Sequence, residues 1–346
     1  MTVTAPEQAP VSDVPEPSGT RFVDRVFRMR ELAILVVFLV MIAVTQAGNS
    51  EFLSEQGVKD LLLNATILVL VATGQSLVVI TRNVDLSVGS TLGISAFAAG
   101  TYLQDGGHPV VAVVLAVLMG VGFGLLNGAL VSLGQVPALV VTLGTLYIIR
   151  GIDSIWVGSR QITAADLPGS FVDFGSGGIS AVPYLALIAL AVLVATAYYL
   201  KHFGSGRELY ALGSNPEAAR LAGIPVRTRI LAAYTVCGAL AGLAGAMYLA
   251  RFGNVDSGTG NGYELTVVSA VVVGGVVFTG GSGSVYGAAL GALLLTSINS
   301  VLPALGVSSV WVLAINGILL ILAIAVDRVV ALRVANALKK RNARHA

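Results

Sequence analysis

Ionisable side chains are scarce in this sequence, with 20 Lys and Arg and 18 Asp and Glu among 346 residues, and the long apolar stretches hold almost none. A charge at the centre of a bilayer costs on the order of 3 kcal/mol, so ion or proton pathways show themselves as acids or bases inside such stretches. Asp153 and Glu264 are expected near the outer ends of their segments and Asp85 at a cytoplasmic turn, which leaves a proton relay poorly supported. What the apolar stretches do carry is neutral and polar: Gln75, Asn127, Thr142, Thr145, Tyr147, Asn299 and Asn316. These groups suit hydrogen bonding to a neutral, hydroxyl-rich solute, and they equally suit bonding between helices.

Other chemistries fail on count and spacing. Cys237 is the one cysteine and His108, His202 and His345 are scattered, so no disulfide framework and no zinc or copper cluster is expected. A nucleotide-binding loop of the Gly-Lys-Ser/Thr kind is missing, because Lys59, Lys201, Lys339 and Lys340 follow Val58, Leu200, Leu338 and Lys339. No cofactor, metal or catalytic set is expected. The formal charge of +2 gives no reason to expect nucleic acid, since basic residues of membrane proteins serve topology.

The elements that must position the polar groups follow from the charge map. Residues 32–50, 61–81, 86–104, 108–149, 174–200, 230–250 and 265–326 contain no Asp, Glu, Lys or Arg. At roughly 20 residues per crossing of a ~30 Å hydrocarbon layer, this length makes about ten helices. The expected fold is an all-α membrane bundle with spans near 32–47, 61–81, 87–104, 109–133, 137–157, 181–203, 229–250, 264–279, 284–302 and 309–326. The eighth is weakly divided from its neighbours and is open to being a re-entrant or broken helix. Residues 1–31, with Pro6, Pro10, Pro15 and Pro17, read as a disordered cytoplasmic tail ahead of an uncleaved first anchor, and 327–346 as a basic cytoplasmic tail. With both termini inside, sixteen Lys and Arg fall on the cytoplasmic side and only Lys59, Arg150, Arg160 and Arg251 outside, as the positive-inside rule asks.

Small residues recur four apart at Gly120, Gly124 and Gly128, at Gly238 and Gly242, and at Gly283, Gly287 and Gly291, a spacing that lets helix backbones approach closely within one bundle. The segment Asn83-Val-Asp85-Leu-Ser87-Val-Gly89-Ser90 breaks the chain between two spans. Asp85 or Ser87 is placed to cap the following helix, with gating or partner contact as the alternative. In the cytoplasmic loop 204–228, Asn215 suits an N-cap, Pro216 the first helical position and Gly223 the left-handed position past the end. A helix of about two turns, lying below the membrane, is expected between them.

At this loop the sequence resembles a known family. The run Phe203-Gly-x-Gly-Arg207 to Gly223-Ile224 resembles the permease subunits of bacterial ABC monosaccharide importers, of the ribose, xylose and rhamnose type and the related autoinducer-2 permeases. So do Asn83-Val-Asp85-Leu-Ser-Val-Gly-Ser90, Pro137-Ala-Leu-Val-Val-Thr142-Leu-Gly144-Thr and Gly280-Gly-Ser-Gly283, in the family's order across about residues 50–326. The resemblance implies a ten-helix permease that pairs with a second copy or a paralogue in the bilayer. Two separate ATP-binding subunits and an extracytoplasmic sugar-binding protein complete the assembly it implies. By the same resemblance Gly206, Arg207, Gly213, Asn215, Ala218, Ala219, Gly223 and Ile224 belong to the ATPase-coupling loop. Translocation and gating candidates are Gln75, Asp85, Ser87, Gly89, Asn127, Thr142, Thr145 and Asn299, and Arg150, Arg160 and Arg251 are candidates for docking the binding protein. The alternative function is an ATP-independent secondary transporter or channel for small polar solutes.

Overall fold

The computed structural model describes residues 18–304 and eight further residues between 311 and 325. The predicted tenth span therefore lies largely outside the described residues, and Asn316 and the basic tail lie wholly outside them. The regular elements of the described chain are helices, apart from a hairpin of two short strands, β1 (Gly178–Ile179) and β2 (Val182–Pro183).

Twelve helices follow in order: α1 (Ser18–Gly48), α2 (Glu55–Ile80), α3 (Val88–Gln104), α4 (Pro109–Ser132), α5 (Ala138–Val157), α6 (Gly169–Ser176), α7 (Tyr184–His202), α8 (Gly204–Ser214), α9 (Pro216–Leu221), α10 (Val226–Phe252), α11 (Tyr263–Val273) and α12 (Val285–Ala304). Six of these, α2, α4, α5, α7, α10 and α12, are long and apolar enough to cross a membrane. α1 begins at Ser18, inside the segment expected to be disordered. Beyond Pro17 the only helix-breaking residue before the apolar run is Gly19, so the helix extends backward through the four arginines.

α2 is the axis of the bundle. Every residue from Ala65 to Ile80 is buried, and the helix packs against α7, α10, α11 and α12. A helix apolar on all sides suits such a position, as it also suits one facing lipid. α4, α5 and α7 lie at the periphery, where Leu118, Leu126, Ile155 and Leu190 are exposed, as suits helices bathed in lipid or covered by another chain.

The most intimate seam joins α4 to α10. A β-carbon on Gly120 would stand 2.1 Å from the Gly238 carbonyl oxygen, one on Gly124 2.4 Å from that of Tyr234, and one on Gly242 2.2 Å from that of Ala116. The small-residue spacing read from the sequence is thus used for backbone contact inside this chain. Gly291 of α12 does the same against Ala270 and Gly274 of α11.

One of the expected spans is broken: α11 stops at Val273, where the sequence reading ran on to 279, and its eleven residues reach about 16 Å, half a bilayer. α3 matches the span expected at 87–104 to within a residue, and it follows an irregular stretch at 81–87 that is largely buried. Gly124→Leu should force α4 off α10 and cost about 2 kcal/mol or more by overpacking. Gly122→Leu, on the same helix with open space around it, should leave the thermal unfolding midpoint of the purified protein near that of the parent.

Candidate translocation and coupling site

The irregular segment after α2 folds back into the bundle, and its polar groups are satisfied by four helices. Gln75 on α2, with its amide oriented to serve both groups, donates to the Asp85 carbonyl at 3.2 Å and accepts from the Asp85 N–H at 3.1 Å. Tyr234 of α10 donates its hydroxyl to the Val84 carbonyl at 3.0 Å, and Thr142 of α5 donates to the same oxygen at 3.3 Å. The Cys237 sulfur lies 3.6 Å from the Gln75 amide. Backbone left unpaired in such surroundings would cost several kcal/mol, so each of these side chains is a condition for the break.

The Asp85 side chain is buried and pairs with no cation among the described residues. Its Oδ1 accepts from the Ser87 N–H at 2.8 Å and from the Ser87 hydroxyl at 2.7 Å. Asn127 of α4 donates to the Ser87 hydroxyl oxygen at 2.8 Å and lies 3.4 and 3.5 Å from the two carboxylate oxygens. Ser87 therefore holds Asp85 and makes no side-chain cap to α3, contrary to one reading of this turn. Nor is Asp85 on a surface turn: the segment climbs back beside Gln75, five residues or about 7 Å above the end of α2.

Gln75, Asp85, Ser87, Asn127, Thr142 and Thr145 are all buried. The hydrogen bonds gather the first five around one break, while Thr145 bonds back to the Thr142 carbonyl of its own helix at 3.3 Å. Asn299 stands apart, exposed on α12. Gly89 has a different office. A β-carbon there would meet the Glu264 carboxylate at 2.5 Å and the Gly260 carbonyl oxygen at 2.6 Å, and one on Gly93 would meet the Thr259 carbonyl oxygen at 2.3 Å.

These contacts reveal a second re-entry. After Gly253 ends α10 at φ +58°, residues 254–262 first pair Val255 with Ile162, then descend along the glycine face of α3. Gly260 and Gly262, at φ +79° and +81°, make the turn into α11 in a conformation that favours glycine. Glu264 consequently sits beside Gly89, about 22 Å along α3 from Gln104, and not at an outer end as expected. The signal available in the sequence was Gly258-Thr-Gly-Asn-Gly262, a glycine-rich run directly before an acid.

The arginines proposed for docking are partly internal. Arg150 donates to the Thr259 carbonyl at 2.7 Å and stands 4.0 Å from Asp153, and Arg251 pairs with Asp60 of α2 at 2.9 Å. Arg160 stays exposed, bonded to the Trp156 and Val157 carbonyls and lying over the Phe97 ring.

At the opposite end of the bundle the loop 204–225 forms two helices where one was expected. The overlooked α8 buries Leu209 and Leu212 on one face, and Arg207 donates to the His202 carbonyl at 3.1 Å, capping α7. α9 matches its expectation closely: Asn215 accepts from the Glu217 and Ala218 N–H groups, both at 3.1 Å. Ala219 is buried, its carbonyl accepts from the Ile224 N–H, and Gly223 takes φ +82°. Ala218 and Leu221 project outward from a helix so small and firmly capped.

α8 meets the broken span without side chains in between. A β-carbon on Gly213 would stand 1.8 Å from the Ile80 carbonyl oxygen, which itself accepts from the Gly281 N–H at 2.8 Å. Tyr210 adds a bond from its hydroxyl to the Gly283 carbonyl at 3.1 Å, and burial raises its phenol to about 12. Arg229 of α10 pairs with Glu208 of α8 at 2.5 Å. On the other side of this junction a cleft of about 720 Å³ is lined by Asn83, Ser132, Pro137, Arg220 and Ile224 among others. The four motifs that carried the resemblance thus gather at one end of the molecule.

A membrane bundle with a half-helix, buried polar breaks and a capped helix presented at one end has the form of a transport subunit. The chain belongs to the family described as branched-chain amino acid transport system, permease component, which matches residues 57–324. It is 38% identical over 299 residues to the autoinducer 2 import system permease protein of Enterobacter sp. (strain 638), covering 86% of each chain. It is 34% identical over 315 residues to the ribose import permease protein of Escherichia coli (strain K12), covering 90% of this chain and 97% of that one. No solved structure matches.

Because Cys237 is buried against Gln75 and is the sole cysteine, it reports on the core around Asp85. It should resist a maleimide in the folded protein and react after denaturation. Tyr234→Ala, which removes the donor to Val84 and leaves a cavity beside the thiol, should raise its labelling rate severalfold and cost about 3 kcal/mol.

Proposed function

We propose that this chain is the membrane-spanning subunit of an ATP-driven importer that carries a monosaccharide or a closely related polyol across a bacterial cytoplasmic membrane. The observation that carries the reading is the continuous link from α9 through α8 and the Gly213, Ile80 and Gly281 junction to the buried break at Asp85. Exposed Ala218 and Leu221 on α9 offer a small rigid knob to an ATPase subunit. Its displacement would move Gly213 against Ile80, five residues before Asp85, with no flexible side chain to absorb the motion. Two copies of the permease, or one and a paralogue, with two ATPase subunits make up the working assembly.

Ten crossings remain the best reading. An irregular arm and the helix after it together complete one passage at two places, α3 with 81–87 and α11 with 254–262. The apolar part of α1 supplies another, and the span expected at 309–326, largely outside the described residues, is counted as the tenth. The α8 and α9 end then faces the cytoplasm. The binding protein would dock on the opposite end, where Arg160 is exposed beside Asp166, whose carboxyl is held below the usual range by the Thr163 N–H and hydroxyl.

The direct test is uptake of labelled ribose, rhamnose and xylose by cells carrying this chain, its partner ATPase and a binding protein, with an intact or disabled ATPase. Uptake of one sugar that disappears with the ATPase is expected; uptake that persists would favour a secondary transporter or channel. Gly223→Val, which imposes a β-branched side chain on φ +82°, should lower sugar carried per ATP about tenfold while leaving the amount of protein in the membrane unchanged. Gly213→Ala should do the same through the Ile80 contact, and normal transport by both variants would refute the coupling assignment.

A further inference from the structure

We propose that Arg150, Asp153 and Glu264 form a binding site for the hydroxyl groups of the transported solute, a stopping point between α3 and α11; the proposal rests on the importer reading above. Among the described residues, a short roll of side-chain polar atoms is buried without any hydrogen-bond partner, and half of it falls in this one triad: Arg150 Nε, both carboxylate oxygens of Asp153 and Glu264 Oε2. Asp153 is 1% exposed. Native interiors seldom leave such atoms orphaned, and charged ones least of all, so the triad is built for a partner that is not part of the chain.

The chemistry of the missing partner can be read from the donors and acceptors. Carboxylates only accept and a guanidinium only donates, and Arg150 lies within electrostatic reach of both acids. A group that both gives and takes hydrogen bonds, at several neighbouring points, satisfies all three, and a polyol presents just such a set of hydroxyls. A divalent cation fits badly beside a guanidinium, and no three His, Cys, Asp or Glu among the described residues could hold one.

The position suits a route. Glu264 opens α11 and faces the first turn of α3, so two helix N-termini meet near the carboxylate. Asn261, Gly262 and Leu265 beside it are exposed, although they lie at the depth of Gly89. Irregular backbone at that depth is tolerated only against protein or a water-filled cavity, and lipid is excluded. On the importer reading this exposed face lines the solute path, and the triad stands just behind it. The Arg150 bond to the Thr259 carbonyl ties the site to the re-entrant segment, which must shift for a solute to reach Asp153.

The test uses the complete transporter in proteoliposomes, with the sugar that the uptake assay selects and its monodeoxy analogues. Asp153→Asn and, separately, Glu264→Gln should cut uptake of the parent sugar about tenfold or more, while uptake of the analogue lacking the bonded hydroxyl changes little. The parent-to-analogue ratio should then collapse toward one, at a different hydroxyl for each variant. Loss of all sugars by one common factor in both variants, at normal membrane levels, would overturn the site and leave the triad as a tie for the re-entrant segment. Should one variant fail to insert, the other and Arg150→Lys carry the same comparison. Wild-type uptake that ignores the ATPase would overturn the importer reading while leaving the discrimination result to stand by itself.

Discussion

Every backbone N–H and C=O inside a bilayer must find a partner within the protein, and the rest of this structure answers to that constraint. A continuous helix meets it internally. The two interruptions do not, and each is surrounded by the means of meeting it from outside. At Val84 and Asp85 the partners are side chains, Gln75, Thr142 and Tyr234, drawn from three helices. At Thr259 and Gly260 the partners are the Arg150 guanidinium, which donates to the Thr259 carbonyl, and the Tyr263 N–H, which donates to the Gly260 carbonyl. Three of the polar residues that stand out in an otherwise apolar sequence, Gln75, Asn127 and Thr142, serve the first of these interruptions.

Glycine serves the same constraint by geometry. In lipid there is little hydrophobic drive between helices, so packing must come from close contact. The α4 and α10 seam achieves it with backbone against backbone, which holds Asn127 and Tyr234 on neighbouring helices against the segment Val84–Ser87. Gly213 and Gly281 use the same close approach at the end of α2, where it makes a stiff joint instead of a static seam. Contacts of this kind transmit displacement, because nothing between them can rotate out of the way. A permease that takes its work from another subunit needs such a joint, whereas the solute path itself needs only modest affinity.

The two breaks differ in what they leave unsatisfied. Around Asp85 most hydrogen bonds close within the chain, which marks that break as a structural pivot. Around Glu264 they do not, and the open valences of Arg150 and Asp153 lie beside exposed, irregular backbone. On the proposed reading, one break bears force and the other meets a solute. The division explains how a transporter can keep its spans almost free of charge and still concentrate three ionisable groups at one place.

Local rules were enough for much of this. Apolar runs longer than a bilayer is thick placed α2, α4, α5, α7, α10 and α12 to within a few residues, because a chain in lipid has few alternatives to a helix. The cap at Asn215, the stop at Gly223 and the glycine spacing of α4 and α10 were equally legible, since each depends on neighbours within a turn or two. The family was recognisable from four short motifs for the same reason. Depth was another matter. Nothing in the order of residues says that the chain turns back beside Gln75 or along Gly89, because re-entry depends on contacts between segments as far apart in the chain as Gly89 and Glu264. The sequence therefore assigned Glu264 and Asp85 to the ends of spans, and it offered Arg150 and Arg251 to a partner protein. Only the packed bundle, in which each buried group must be matched by whatever its neighbours supply, decided that Asp85 meets Ser87 and Asn127, that Arg150 meets Thr259 and Asp153, and that Arg251 meets Asp60.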